Sequence, residues 1–279
     1  MKKIIGIILA IITIVSCVFA FTACSKPEKV KVIDIELTSE AYAFVVKKGD
    51  TTIKNAANEL LAELKASGEL TEIIKSFFDG SAKFEYTNPA SKDGCLVVAT
   101  NAYFPPFEYY NGNKLTGVDM QIASLLAAKM GKTLYILDEE FETIFESVDT
   151  GEAAIGMAGI TVNSERLEKY DFTDEYYESA QVIIVKEKDT TFDECETLED
   201  VEAILAEQNK KYTIGTQNGT TGFMYAGGNE AFEYPGFKNL SVSGYKTGAL
   251  AVKDLSNGKI NAVIIDKQPA IMIAKAING

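Results

Sequence analysis

The sequence predicts an α/β fold made of two similar lobes, and three features of the chain support this class. From Cys95 onward, short β-rich runs alternate with stretches of helical spacing, which is typical of mostly parallel sheets covered by helices. The 279 residues are too many for one small core and enough for two lobes. Two segments, 149–159 and 256–266, share one order of helix end, glycine turn and buried strand, so the lobes are expected to resemble each other.

The expected elements then follow one another in a regular order. Buried strands are predicted at 95–100, 133–137, 153–158, 181–186, 212–216, 240–244 and 260–266. Helices are predicted between them at 119–130, 141–149, 198–208, 220–226, 247–256 and 269–276. In open sheets of this kind, ligands bind beyond the carboxyl ends of the strands, so a binding cleft is expected at those ends.

The segment that precedes these elements cannot form a core by itself. Two strands are predicted at 31–37 and 41–46, followed by two amphipathic helices at 52–64 and 70–78. Residues 79–93 are rich in small and polar residues and are predicted to be a linker. Two strands and two helices bury too little apolar surface to be stable alone, so this segment is expected to pack on the rest of the chain.

The composition excludes several classes of function. The chain has no histidine, which rules out Ser-His-Asp and Cys-His catalysis and histidine-ligated metal sites. Its 40 acidic residues exceed its 27 lysines and arginines, giving a net charge of −13, so nucleic acid is not an expected partner. Only one of the 27 cationic residues is an arginine, Arg166. Codon bias explains the excess of lysine, but a single retained arginine is a candidate functional residue.

The N-terminus has the pattern of a secretion signal. Two lysines precede a long apolar run, after which the chain changes abruptly to polar residues. The junction resembles a bacterial lipoprotein signal, so residues 1–23 are predicted to be removed and Cys24 to carry the lipid. An uncleaved membrane anchor is the alternative, and both interpretations place the body of the protein outside the cytoplasm. Cys95 and Cys195 are expected to be unpaired thiols, although a disulfide between them is an open alternative.

A series of short motifs occurs in the order found in one protein family. The motifs lie at 99–109, 117–119, 157–161, 164–166, 170–173, 217–221 and 264–266. Together they resemble the family 3 solute-binding proteins of amino-acid ABC transporters over residues 95–279. The resemblance implies a periplasmic-binding-protein-like type II fold, in which a two-strand hinge joins two α/β lobes. It also implies a receptor without catalytic residues, cofactor or metal, which captures a polar amino acid between the lobes and delivers it to the permease.

The order of the elements differs from that of the family at the two ends of the chain. Residues 30–78 resemble the C-terminal portion of the family, which this chain lacks at its own C-terminus. We therefore interpret the chain as a circular permutant in which residues 79–93 join the ancestral termini. Lobe 1 is then residues 41–180, and lobe 2 combines residues 24–40 with residues 181–279. An unrelated N-terminal module is the alternative.

Eleven residues match ligand-binding positions of the family. They are Asn101, Phe104, Phe141, Ala158, Gly159, Thr161, Arg166, Gln217, Thr220, Thr221 and Asp266. Arg166 matches the arginine that binds the α-carboxylate of the ligand, for which a planar guanidinium offers paired donors that lysine lacks. Thr220 and Thr221 would bind the same carboxylate, and Asp266 would bind the α-ammonium group together with groups of the 159–161 segment. Considered alone, Asp266 is equally well explained as the N-cap of the following helix.

The side chain of the ligand would lie between Phe104 and Phe141, which are otherwise ordinary core aromatics, with Ala158 on the same wall. Asn101, Gln217 and Ile265 match positions that vary with the ligand in the family. Two neutral amides and one aliphatic residue favour a polar uncharged amino acid, similar to glutamine, over a strongly charged one.

Two other functions are compatible with the same scaffold. A dehydratase-type enzyme would need a general acid in the cleft, a role open to Asp266 or Glu108. Glu108 is also placed to meet a cationic ligand, and a sensory ligand-binding module is the third possibility. The expected partners of the favoured receptor are a free amino acid, an ABC permease and, through the lipid anchor, the membrane. The protein is expected to be a monomer.

Overall fold

A computed structural model describes residues 27–279, so the predicted signal segment 1–23 and the lipidation site Cys24 lie outside the described residues. Two five-stranded sheets form the centres of two lobes, which confirms the predicted α/β class. Among the residues described, no helix is both long enough and apolar enough to cross a membrane.

Lobe 1 is built on a mixed sheet and five helices. The strand order is β10 (Tyr170–Phe172), β3 (Val45–Lys47), β9 (Ile155–Gly156), β4 (Leu96–Thr100) and β8 (Leu134–Asp138). Strand β4 is parallel to β8 and β9, whereas β3 is antiparallel to β9 and β10. The helices are α1 (Thr51–Ser67), α2 (Glu69–Asp79), α3 (Val118–Lys129), α4 (Thr143–Thr150) and α5 (Ser164–Lys169). A small antiparallel sheet adds β5 (Tyr103–Phe104), β6 (Glu108–Asn111) and β7 (Lys114–Thr116).

Lobe 2 contains the second mixed sheet. The strand order is β1 (Val30–Ile33), β12 (Gln181–Lys186), β15 (Ala262–Asp266), β13 (Thr213–Gln217) and β14 (Ser241–Tyr245). Strand β13 is parallel to β14 and β15, and β12 is antiparallel to β1 and β15. The helices are α6 (Leu198–Glu207), α7 (Thr221–Gly227), α8 (Gly248–Ser256) and α9 (Lys267–Asn278). Cys195 of this lobe and Cys95 of lobe 1 are both free thiols.

The two lobes are linked by a short ladder of two antiparallel strands. Strand β2 (Glu40–Tyr42) pairs with β11 (Tyr177–Ser179), and each of these segments leads from one sheet into the other. The prediction of a single strand at 41–46 is therefore wrong. The chain forms β2 and β3 instead, because the first part pairs with β11 between the lobes and the second pairs with β9 and β10 inside lobe 1.

The N-terminal helices show how the local sequence sets their boundaries. The Asp50 side chain accepts hydrogen bonds from the backbone amides of Thr52 and Ile53, which have no partner inside the first turn of α1. Gly68 ends α1 with φ at 81°, a left-handed conformation that favours glycine. The apolar face of α1 is buried against α2 and α3. The expected packing of this N-terminal segment on the rest of the chain is confirmed.

The segment 79–93 lies along lobe 1 as an ordered strap. The backbone of Tyr86 exchanges two hydrogen bonds with that of Leu115, at 2.7 and 2.9 Å. The Asn88 side-chain amide pairs with the carbonyl and the amide of Ile136, at 2.7 and 2.8 Å. Ile136 belongs to β8, which is the edge strand of the sheet, so the strap covers an edge that would otherwise expose unpaired backbone groups.

The remaining differences from the prediction concern short elements. Strands β5, β6, β7, β10 and β11 and helix α5 were not expected, because segments of two to six residues show no clear hydrophobic period. The strand expected at 31–37 ends at Ile33, and the strand expected at 153–158 is reduced to the two residues of β9. The carboxyl end of β9 therefore lies at Gly156, two residues before the predicted end.

Candidate functional site

A cavity lies between the two lobes. All eleven residues that the sequence assigned to the ligand site line it, together with Glu108. The lining residues are Asn101, Phe104, Glu108, Phe141, Ala158, Gly159, Thr161, Arg166, Gln217, Thr220, Thr221 and Asp266. The structure thus brings these residues together, while their individual roles toward a ligand stay predictions.

The cavity lies where strands of both sheets end. Asn101 directly follows β4, and Gly159 follows β9 in the same lobe. From lobe 2, Gln217 is the last residue of β13 and Asp266 is the last residue of β15. Both sheets therefore direct their carboxyl ends at one space, which is the position where ligands bind in open α/β sheets.

Arg166 is a buried cation without an acidic partner. Its guanidinium donates hydrogen bonds to the carbonyls of Thr161 at 2.6 Å and Gly219 at 3.0 Å, and it lies 5.0 Å from the centre of the Phe145 ring. Within residues 27–279, none of the salt bridges involves Arg166. Burial lowers the pKa of Arg166 to about 10, so it stays charged at neutral pH. Its unused N–H groups can serve an anionic ligand group.

The position of Arg166 is set by a short helix. Asn163 is the N-cap of α5, and its side chain accepts a hydrogen bond from the Arg166 backbone amide at 2.7 Å. The guanidinium also lies 5.6 Å from the centre of the Phe141 ring. The hydrogen bond to Gly219 crosses the cleft, so Arg166 of lobe 1 contacts lobe 2 directly.

Asp266 faces the hinge and does not cap the helix that follows it. The Tyr42 hydroxyl donates a hydrogen bond to one carboxylate oxygen, and the Ser179 hydroxyl lies 3.4 Å from the same oxygen. Asp266 occupies the N-cap position of α9 but makes no side-chain capping bond. Burial, reinforced by the charge of Glu40, raises the pKa of Asp266 to about 7. Its side chain is therefore available to the cavity and linked to both hinge strands.

Glu40 is part of the site, and sequence reasoning did not identify it. This buried hinge residue accepts hydrogen bonds from the hydroxyls of Thr161 and Thr38, both at 2.6 Å, and from the Gln181 side chain at 2.9 Å. Glu40 therefore ties Thr161, on the cavity wall, to both connections between the lobes. No local pattern identifies such a residue, because Thr161 is 121 positions away in the chain.

A pair of buried acids lies on the lobe 1 side of the cavity. Asp119 accepts hydrogen bonds from the Tyr176 hydroxyl at 2.6 Å and from the Gly159 backbone amide at 3.0 Å. Burial raises its pKa to about 7. Glu108 is fully buried and neither of its carboxyl oxygens has a hydrogen-bond partner. Burial, followed by the charge of Asp119, raises the pKa of Glu108 well above its ordinary value.

Gly159 has a steric requirement of its own. Its φ is +52°, and a Cβ atom at this position would lie 2.8 Å from the Phe104 ring. The glycine thus lets the backbone approach the aromatic wall while its amide is held by Asp119.

Two amide side chains meet across the cleft. The Gln217 amide donates to the Asn101 oxygen at 3.0 Å, and the Asn101 amide donates to the Glu139 carbonyl at 2.7 Å. The Gln217 oxygen accepts a hydrogen bond from the Gly248 amide at 3.3 Å. Both side chains are buried, so this bridge closes one end of the cavity and leaves each amide with a spare N–H group.

The start of helix α7 faces Arg166 from lobe 2. Thr220 is the N-cap residue, but its hydroxyl donates to the Gln217 carbonyl at 2.8 Å and makes no capping bond. Thr221 is buried as the first residue of the helix. In this conformation a ligand would meet the backbone amides of this turn, because the Thr220 hydroxyl proton is already engaged.

Contacts outside the cavity also hold the lobes together. Ser164 donates a hydrogen bond to the Ala231 carbonyl at 2.8 Å, and Lys246 forms an exposed ion pair with Glu140 at 2.5 Å. Together with the hydrogen bonds from Arg166 to Gly219 and from Gln217 to Asn101, these contacts hold the lobes in a conformation in which the cleft is closed.

The comparisons with known proteins agree with this geometry. The pattern of the bacterial extracellular solute-binding proteins, family 3, matches residues 96–264. The chain is 28% identical over 182 residues to the arginine-binding extracellular protein ArtP of Bacillus subtilis, covering 64% of this chain and 65% of the relative. It is 26% identical to a probable histidine-binding protein of Neisseria gonorrhoeae, covering 64% of this chain and 61% of the relative. The chain thus spans less than two thirds of the length of these two relatives.

Solved structures are similar over the same part of the chain. An ancestral arginine-binding protein bound to arginine has a TM-score of 0.56 and 27% identity, covering 68% of this chain and 77% of its own. The ancestral amino acid-binding protein AncCDT-1, a precursor of cyclohexadienyl dehydratase, has a TM-score of 0.56 and 27% identity, covering 66% of this chain and 75% of its own. These neighbours confirm the type II binding-protein fold predicted from the motifs.

Proposed function

Because the chain belongs to family 3 of the bacterial extracellular solute-binding proteins, we propose that it captures a free amino acid in the cavity between its lobes and delivers it to an ABC permease. Its relatives are amino-acid-binding proteins that act outside the cytoplasm. Closure of the lobes would transfer the amino acid from an open cleft to an enclosed cavity, and its release would follow reopening at the permease.

The observation that carries this proposal is the charge arrangement of the cavity. Arg166 is buried without an acidic partner among residues 27–279, and Asp266 lines the same cavity without a basic partner. An isolated buried charge is costly, and a zwitterion compensates both charges at once. The α-carboxylate would bind Arg166 and the α-ammonium group would bind Asp266. This assignment also explains why lysine does not replace the single arginine.

The side chain of the ligand is proposed to be polar and uncharged, similar to glutamine. It would lie between Phe104 and Phe141 and point toward the amide bridge of Asn101 and Gln217. The spare N–H groups of the two amides suit a carbonyl or amide acceptor better than a cation. The named ligands of relatives include arginine, histidine and cystine, so ligand identity varies among proteins of this type.

The test is calorimetric titration of the protein with each of the twenty standard amino acids. We expect one or a few polar amino acids to bind, and glutamine to bind more tightly than arginine. Arg166→Lys should weaken binding at least about tenfold, because lysine lacks the paired donors. The exposed Lys238→Arg serves as the matched control and should bind like the wild type. If Arg166→Lys bound the ligand with the wild-type affinity, Arg166 would not be the partner of the α-carboxylate.

The same titrations separate a receptor from an enzyme. An enzyme of the dehydratase type would convert the bound molecule, whereas a receptor returns it unchanged. The bound amino acid is therefore recovered after denaturation and identified by mass spectrometry. Recovery of a product of different mass would replace the receptor proposal by a catalytic one.

The arrangement of the chain is part of the proposal. We propose a circular permutant with lobe 1 at 41–180 and lobe 2 at 24–40 and 181–279. Three features support it: β1 pairs with β12 of lobe 2, β3 pairs inside lobe 1, and the strap 79–93 runs along lobe 1. We also propose a monomer that is anchored to the membrane through a lipid on Cys24.

A further inference from the structure

Glu108 is the least compensated polar group of the cavity. It is the first residue of β6, its exposure is 0%, and both carboxyl oxygens lack a hydrogen-bond partner. Buried carboxyl groups are normally hydrogen-bonded or paired, so an unpartnered one on a cavity wall indicates a contact to something that enters the cavity.

The groups that face Glu108 are nearly all acidic. Among the neighbouring titratable groups Asp119 has the largest effect on it, and Asp266, Asp138 and the Tyr176 hydroxyl are the others close enough to affect it. Asp266 in turn faces Tyr42 and Glu40 across the hinge. Among residues 27–279, Arg166 is the only cation that lines the cavity, and it donates hydrogen bonds to two carbonyl groups.

Two adjacent carboxyl groups in a buried space do not both ionise. Repulsion between the anions and the cost of burying them favour a state in which one proton lies between the two. Asp119 already accepts two hydrogen bonds, which stabilise its ionised form. The proton is therefore held on Glu108 and directed toward Asp119. Before a ligand binds, the acid pair thus holds a proton at the position that the ammonium group of the ligand would take.

We propose that Glu108 is a second acidic contact for the ammonium group of the ligand, beside Asp266, and that the ammonium group replaces the proton shared by Glu108 and Asp119. This inference rests on the proposed function. The ammonium group keeps its own three protons and the shared proton leaves for solvent, so one positive charge replaces another. Binding therefore releases a proton, and the affinity depends on how readily the acid pair gives it up.

Calorimetry in two buffers of different ionisation enthalpy measures the released protons. The probe is the tightest binder among the twenty amino acids of the titration screen, used at about pH 8, where Asp119 and Asp266 are already mostly ionised. The wild type should release roughly 0.5–1 proton for each molecule bound. Glu108→Gln keeps the shape of the side chain but has no exchangeable carboxyl proton, so the release should fall by at least half and binding should weaken about tenfold. The exposed Glu207→Gln is the matched control and should match the wild type in both.

Two outcomes would overturn the inference. One is a wild-type protein that releases no proton between about pH 5 and pH 8. The other is a Glu108→Gln variant that releases as many protons as the wild type. If Glu108→Gln does not fold, Asp119→Asn answers the same question, because it removes the partner of the shared proton and should also reduce the release. An absence of binding by all twenty amino acids would instead overturn the proposed function itself.

Discussion

The two ends of the cavity carry opposite charges and are held in different ways. At one end, Arg166 is fixed by backbone carbonyls and aromatic rings, and it stays charged over the physiological pH range. At the other end, the acids Asp266, Glu108 and Asp119 lie within one buried region, and Tyr42 links them to the hinge. Arg166 is therefore charged throughout this pH range, whereas the net charge of the three acids depends on pH.

This difference separates two roles within one site. We propose that the cationic end selects a carboxylate through geometry, since a guanidinium offers two parallel donors. We expect a change at the acidic end to reach the hinge, because Asp266 accepts a hydrogen bond from Tyr42 in β2 and lies near Ser179 in β11. Changes at the first end should lower affinity to nearly the same extent at every pH, and changes at the second should alter both affinity and its pH dependence.

The largest effect is expected from Arg166→Gln. Removal of this cation leaves the ligand carboxylate buried without a charged partner, so affinity should fall by at least about 100-fold. The loss should be nearly the same at every pH between about 5 and 8, because the guanidinium does not titrate there. Calorimetric titration across this range checks both statements, with Lys238→Gln as the control. A loss that varied strongly with pH would contradict the contrast between the two ends.

Asp266→Asn should have a smaller effect on affinity. The ammonium group loses one carboxylate but keeps Glu108, so binding should weaken about 30-fold. In this variant an amide replaces the carboxylate that accepts the hydrogen bond from the Tyr42 hydroxyl, so closure should become less complete. Small-angle scattering with and without saturating ligand measures that change. A variant that binds and closes like the wild type would show that Asp266 is not the ammonium partner.

The pH dependence follows from the raised pKa values of Asp119 and Asp266, both about 7 against an ordinary value of 3.8. These acids ionise at lower pH in the unfolded chain, so the unfolded state holds fewer protons between about pH 4 and pH 7. The ligand-free protein should therefore lose stability as the pH rises through this window. Above this window, the two acids should have little further effect on its stability.

Ligand affinity should change in the opposite direction. An ammonium group binds better to ionised acids, so affinity should rise roughly tenfold from about pH 5 to about pH 7. Thermal unfolding with and without ligand tests both trends, since the ligand-induced rise in Tm should grow with pH while the Tm of the empty protein falls. Parallel changes of the two curves would contradict this account of the acidic end.

The smallest effect is expected from the exposed ion pair between Glu140 and Lys246. Both side chains are largely exposed, at 62% and 69%, so solvent and salt screen their attraction. Glu140→Gln should weaken binding at most about threefold, and high salt should remove the difference. Glu207→Gln is the matched control for loss of one surface charge. A tenfold loss would mean that closure depends on the rim of the cleft as strongly as on the acidic end.

The sequence identified the residues that share a local motif. Arg166 lies in a Ser-Glu-Arg motif, Gly159 and Thr161 lie in one apolar segment, and Asp266 ends a strongly apolar strand. Each of these contexts is set by neighbours within a few positions, so it was visible without coordinates. The alternation of strands and helices predicted the fold class for the same reason.

Other parts of the site depend on contacts between distant segments. Glu40 meets Thr161 across 121 positions, Tyr42 meets Asp266 across 224, and Asn101 meets Gln217 across 116. The break between β2 and β3 also depends on distant segments, because β2 pairs with β11 whereas β3 pairs with β9 and β10. No hydrophobic period or short motif encodes such pairs.

By itself, the sequence determined the α/β class, the family and the position of the single arginine, because composition and short motifs are local properties. Only the tertiary structure decided that Glu108 and Asp266 line one cavity with Asp119 beside Glu108, that two amides close it, and that the strap 79–93 covers an edge strand. The charge of a carboxyl group depends on its exposure and on its neighbours in space. Packing creates both of these conditions, and the order of residues along the chain does not specify them.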